Sequence, residues 1–105
     1  LYVCYSAYES DDGNDEPIDN LDEIAAIGKI RLIRCRDEFF GGPDSKDYQS
    51  EVLENPTWLQ VAVCANQMII TTRDEHHIFL EGIDKLSKNR QIEQDIILFE
   101  FIMGS

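Results

Sequence analysis

The sequence predicts an α+β domain, a mostly antiparallel sheet of about four strands with two or three helices packed on one face, in the order β-α-β-α-α-β-β. Three observations carry this prediction. Residues 55–72 contain no charged side chain and place polar residues at helical intervals. Residues 76–82 and 95–103 switch to a period of two. At 105 residues and 12.1 kDa the chain has the size of one domain, spanning 1–105, and is too short to divide into two cores.

In residues 1–8, Leu1, Val3, Tyr5 and Ala7 fall on one side and Tyr2, Cys4, Ser6 and Tyr8 on the other, the alternation of a strand. Residues 9–16 read as a solvated acidic loop. Asn20 with Glu23 three residues later has the form of a capping box, Leu21, Ile24, Ala25 and Ile27 keep helical spacing, and Gly28 suits a helix end. A short helix is therefore expected there. Residues 29–40 fit neither period cleanly, and a strand is favoured because Gly28 interrupts any longer helix; Gly41-Gly42-Pro43 then stops the element. Residues 45–55 are expected to form a further short helix, with Tyr48 and Val52 four apart.

The best-determined element follows, with Asn55 as N-cap and Pro56 at the first helical position, where a missing N–H costs nothing. Thr57, Gln60, Cys64, Gln67 and Thr71 recur at steps of three and four, which predicts a wet stripe. Opposite them lie Leu59, Ala62, Val63, Asn66, Ile69 and Ile70, flanked by Trp58, Val61, Ala65 and Met68, so that apolar surface is expected over well more than half the circumference. Beyond Arg73, His76, Ile78 and Leu80 alternate with His77, Phe79 and Glu81, and Gly82 bends the strand. A polar loop over 84–93 leads to residues 95–103, which are apolar on both faces.

Charge narrows the function. Nine Lys and Arg against 21 Asp and Glu give −12, which excludes direct nucleic-acid binding or anionic-membrane binding through a general basic surface. No run is long and apolar enough to span a membrane, and no secretory signal pattern opens the sequence. Cys4, Cys35 and Cys64 are an odd, widely spaced set, expected to be free thiols in a reducing compartment, which points to the cytoplasm. Phosphate-cradling glycine loops and G-x-S-x-G or H-E-x-x-H patterns are absent, so the sequence asks for no cofactor.

The charge is also polarised, since residues 1–28 hold eight acids, Glu9, Asp11, Asp12, Asp15, Glu16, Asp19, Asp22 and Glu23, and no Lys or Arg. Such a patch steers a basic protein partner. The first functional reading is therefore a non-enzymatic binding module of inhibitor, immunity-like or nucleic-acid-mimic character. A second is a small His/carboxylate enzyme, a metal-dependent hydrolase being one form of it. If the last two strands form a hairpin with its loop centred between Lys88 and Asn89, His77 faces Glu100, and a bend near Gly82 brings in Glu81. His77 beside these carboxylates has the composition of a general base, and His77 with Glu100 that of a partial metal site. A one-residue slip removes this arrangement. A third reading is a homodimer or assembly module joined through residues 95–103.

Among remaining candidates, Asn66 on the apolar helix side needs hydrogen-bond partners if buried, and Cys64 on the wet stripe is the expected accessible thiol. The basic run Lys29, Arg31, Arg34 and Arg36 divides between two strand faces and is expected to pair with the chain's own carboxylates.

Overall fold

The computed structural model describes residues 4–5, 8–11, 14–17, 21–36, 38–74, 76–77 and 79–104. Eight strands and one long helix follow in order: β1 (Cys4–Tyr5), β2 (Tyr8–Asp11), β3 (Asn14–Pro17), β4 (Lys29–Arg34), the single-turn α1 (Glu38–Gly41), β5 (Tyr48–Gln49), β6 (Leu53–Glu54), α2 (Trp58–Thr72), β7 (Phe79–Lys85) and β8 (Ile97–Gly104). The main sheet runs β1-β7-β8-β4-β5, with β6 paired to the other end of β4. It is mixed rather than mostly antiparallel: β1–β7 and β4–β8 are parallel, whereas β7–β8, β4–β5 and β4–β6 are antiparallel.

The α+β class holds, but the expectation of two or three packed helices does not. Residues 21–28 form turns, because their carbonyls are spent elsewhere. Glu23 O accepts from Trp58 N at 2.9 Å and Leu21 O from Leu59 N at 2.8 Å, while Thr57 Oγ1 and O accept from Gln60 N and Val61 N. Val61 N thus makes the first regular helical bond, and with Thr57 N donating to Gln60 Oε1 at 2.8 Å the four amides orphaned at the start of any helix, here those of residues 57–60, all find acceptors. The N-cap is Thr57, two residues beyond the expected Asn55, and it closes a capping box with Gln60. Asn55 adopts φ 45° and instead accepts from Gly28 N at 2.6 Å, pinning the start of β4.

Residues 45–55 also form no helix. They return along β4 as β5 and β6, interrupted where buried Ser50 takes over the ladder: its hydroxyl accepts from Leu32 N at 2.9 Å and donates to Glu51 O at 2.7 Å. Residues 9–16, expected to be a loop, carry the β2–β3 ladder, a two-stranded sheet of its own. Within the strand expected over 1–8, Cys4–Tyr5 pairs with β7, and residues 1–3 and 6–7 lie outside the described set.

α2 is the core helix, but its buried face is centred about a third of a turn from the expected one, with Ala62 and Ile69 common to both. Val61, Ala62, Cys64, Ala65, Met68, Ile69 and Thr72 are buried, whereas Leu59, Val63 and Ile70 are 53%, 52% and 54% exposed. The inward residues pack against Ile30 and Leu32 of β4, Leu80 of β7, Phe101 of β8 and Tyr48. Sheet and helix share this one hydrophobic cluster. Near the end of α2, Gly41 approaches so closely that a Cβ would collide with the Thr72 carbonyl and stand 2.8 Å from Ser45 Cβ.

β8 lies between β4 and β7, so both its edges are hydrogen-bonded within the chain. Residues 97–100 pair with β4 and residues 99–104 with β7, so much of the edge of this segment is used within the chain. Their apolar character on both faces reflects an interior strand.

Candidate functional site

The most developed polar cluster forms where α2 ends. Arg73 takes a left-handed conformation, φ 60°, and its N–H caps Ile69 O at 2.8 Å. That step turns the chain so that Asp74 is buried, its side chain 4% exposed. Asp74 Oδ1 accepts from His76 N at 3.1 Å and His77 N at 3.2 Å, and Oδ2 lies 2.8 Å from His77 Nδ1 and 3.9 Å from Arg34 Nη2. Burial pushes the Asp74 carboxyl upward, but the hydrogen bonds from the His77 ring and from the His77 and His76 amides, with the His77 charge, outweigh it. The net direction is down.

An ionised carboxylate can only accept, so His77 Nδ1 carries the proton in this pair. Asp–His pairs of this geometry orient a general base in hydrolytic sites; among the described residues no cluster of three His, Cys, Asp or Glu side chains could hold a metal. The chemistry that the contacts support is a clasp joining the end of α2, β4 through Arg34, and the entry to β7.

The residues proposed for catalysis are dispersed. His77 precedes β7, which begins at Phe79, and Glu100 opposes Asp84. The β7–β8 pairing is centred near Ile92 rather than between Lys88 and Asn89, because β7 continues to Lys85 and the connection contains a 3-10 turn, Lys88–Arg90. Glu100 sits 4.0 Å from Arg90 Nη2. Glu81 occupies a bulge between Leu80 and Gly82, its carboxylate against Gly104, where a Cβ would come within 2.8 Å. The register shift between Leu80 and Gly82 puts the expected irregularity in the strand at this point.

The N-terminal acids divide between two places. Glu9, Asp11, Asp15 and Glu16 stand on the β2–β3 ladder, with Glu9 opposite Glu16 and Ser10 opposite Asp15, and Asp22 and Glu23 are exposed in the turns before β4. Asp12 and Asp19 lie outside the described residues. Arginines of the basic run are used internally. Arg31 binds Glu93 at 3.0 Å and Ser50 O at 2.8 Å, Arg34 donates to Phe101 O at 3.3 Å, and Arg36 donates to Ser45 O at 3.4 Å.

Cys64 is not the accessible thiol. It is buried beside Tyr48; burial pushes both groups upward, and the pair of them reinforces the shift on Tyr48. Tyr48 Oη donates to Gln67 Oε1 at 3.0 Å, and Cys35 is an exposed free cysteine. Asn66 is half-buried and engaged. Sequence reasoning missed Asp74 as the centre of the histidine cluster. Its signal was an Asp just past a helix end with a His three residues on, the spacing of a side chain that caps its own following turn.

No protein-family model matches the chain, and neither a curated protein nor a solved structure shows significant similarity to it.

Proposed function

We propose that this chain is a non-enzymatic binding module that engages a basic protein partner through its acidic N-terminal region. The observation that carries the reading is that Glu9, Asp11, Asp15 and Glu16 share a two-stranded ladder separate from the main sheet, in a stretch of 28 residues with no Lys or Arg to neutralise it. Asp22 and Glu23 extend the same charge to the exposed turns beside α2. A ladder fixes the spacing of its residues along the backbone, so less ordering entropy is lost on binding than from a free acidic loop. The separation of His77 from Glu100, which opposes Asp84, favours binding over catalysis. An exposed Cys35 and a buried free Cys64 suit a reducing, cytoplasmic setting.

The test is a calorimetric titration with a lysine 20-mer at about 20 mM and about 300 mM salt, across which the Debye length falls severalfold. The eight N-terminal acids are replaced by their amides in a second sample. Saturable binding at low salt that weakens at high salt and disappears in the amide variant is expected. Absent binding at low salt, or equal binding by the variant, overturns the reading.

A further inference from the structure

The face of the sheet opposite α2 carries a cavity of about 440 Å3 between β4, β8 and the segment that connects β7 to β8, lined among others by Arg31, Ile33, Leu86, Arg90, Glu93 and Leu98. Its size falls within the range of small-molecule sites. We propose that it binds a small organic anion, a carboxylate with an apolar tail, with the carboxylate on Arg31 and Arg90 and the tail over Ile33, Leu86 and Leu98.

The cavity is pre-formed because its roof is fastened. The Gln91 side chain donates from Nε2 to Leu86 O and Leu98 O, both at 3.0 Å, and accepts from Leu98 N at 2.7 Å. One amide side chain thus replaces a missing rung of the β7–β8 ladder and locks the connection over the sheet. Its floor is apolar, with Leu86 and Leu98 only 5% and 4% exposed.

The two arginines have different parts. Arg31 is held by Nε to Glu93 at 3.0 Å and by Nη1 to Ser50 O at 2.8 Å, which fixes its plane while leaving three of its five N–H donors for a ligand. Arg90 is half-exposed and its Nη2 stands 4.0 Å from Glu100, a pair loose enough to yield to a better acceptor. Arg31 and Arg90 against Glu93 give the lining one excess positive charge in a chain of −12. One excess charge above an apolar floor matches a monoanion with a tail. It matches a multiply charged phosphate poorly, since Glu93 stands beside Arg31.

Amide chemical shifts followed during titration with octanoate, 1-octanol and inorganic phosphate test the assignment. Octanoate is expected to give saturable shifts at Ile33, Leu86 and Leu98, at least tenfold tighter than either control. Arg90→Gln should weaken it about tenfold, the loss of one charge-assisted hydrogen bond. Ile92→Glu changes a rim residue that is 82% exposed and therefore leaves the fold intact, and it should weaken octanoate further by placing a carboxylate at the mouth. Octanol binding as tightly as octanoate, phosphate reproducing the same shifts, absent saturation, or indifference to both variants overturns the proposal.

Discussion

Replacing Asp74 by alanine removes the acceptor for three donors at once, His76 N, His77 N and His77 Nδ1, all within 3.2 Å of a side chain that is 4% exposed. A buried donor left without a partner costs about 1–3 kcal/mol, and relaxation of residues 76–77 toward water should return part of it, giving an expected loss of about 2–4 kcal/mol. The 3.9 Å approach of Arg34 adds little. Asp74→Asn keeps one accepting oxygen and should cost about half as much. The folded-state carboxyl lies below its unfolded value of about 3.9, so its stabilisation is fully present above that value and is lost as pH falls through the lower folded value. Urea denaturation of the natural and Asp74→Ala chains should therefore show a gap at about pH 5 that shrinks below about pH 4. Comparing the two chains cancels the acid titration of the other carboxylates. A gap that stays constant to about pH 2, or one under about 0.5 kcal/mol at neutral pH, refutes the assigned role of the carboxylate.

Two further predictions address α2 and the thiols. Leu59→Lys and Val63→Lys, on the outward face, should change stability by no more than about 0.5 kcal/mol, whereas Val61→Lys, at 0% exposure, should prevent folding, as read by circular dichroism and thermal melts. With Cys4 replaced by serine, a thiol-reactive dye should label Cys35 rapidly and Cys64 only on unfolding; equal rates contradict the burial and raised thiol of Cys64.

What could be read from the sequence and what could not divide along the reach of the hydrogen bonds involved. The α+β class, the long helix and the final pair of strands rest on local pattern and are present, and the strand expected over 29–40 is present in its first half, Lys29–Arg34, giving way to the single turn α1 at Glu38–Gly41. The expected helix at 20–28 failed although its capping residues and spacing were sound, because Leu21 and Glu23 give their carbonyls to α2, more than thirty residues along the chain. No local pattern reports such a contract. The register of β7 against β8 failed similarly: it is set by the Gln91 side chain fastening Leu86 to Leu98, and a shift of that size moves His77 off the strand and away from Glu100.

The orientation of α2 fails for a different reason, which concerns volume. With no charge between residues 55 and 72, the periodic signal is nearly flat, and the larger apolar residues Leu59, Val63 and Ile70 pull a hydrophobicity-weighted reading toward themselves. The sheet, however, already supplies the bulk, in Ile30, Leu32, Leu80 and Phe101. A helix lying on such a surface reaches close packing by presenting small side chains, and Ala62, Cys64, Ala65 and Thr72 occupy the inward face alongside Val61, Met68 and Ile69. Cysteine behaves there as a small apolar residue rather than as a polar one. The same argument accounts for the failure to single out Asp74. Thr72 and Asp74 look like surface residues by type, yet they end a helix whose small inward face brings its last turn against Gly41 and Arg34, and polar side chains buried there must be satisfied in full.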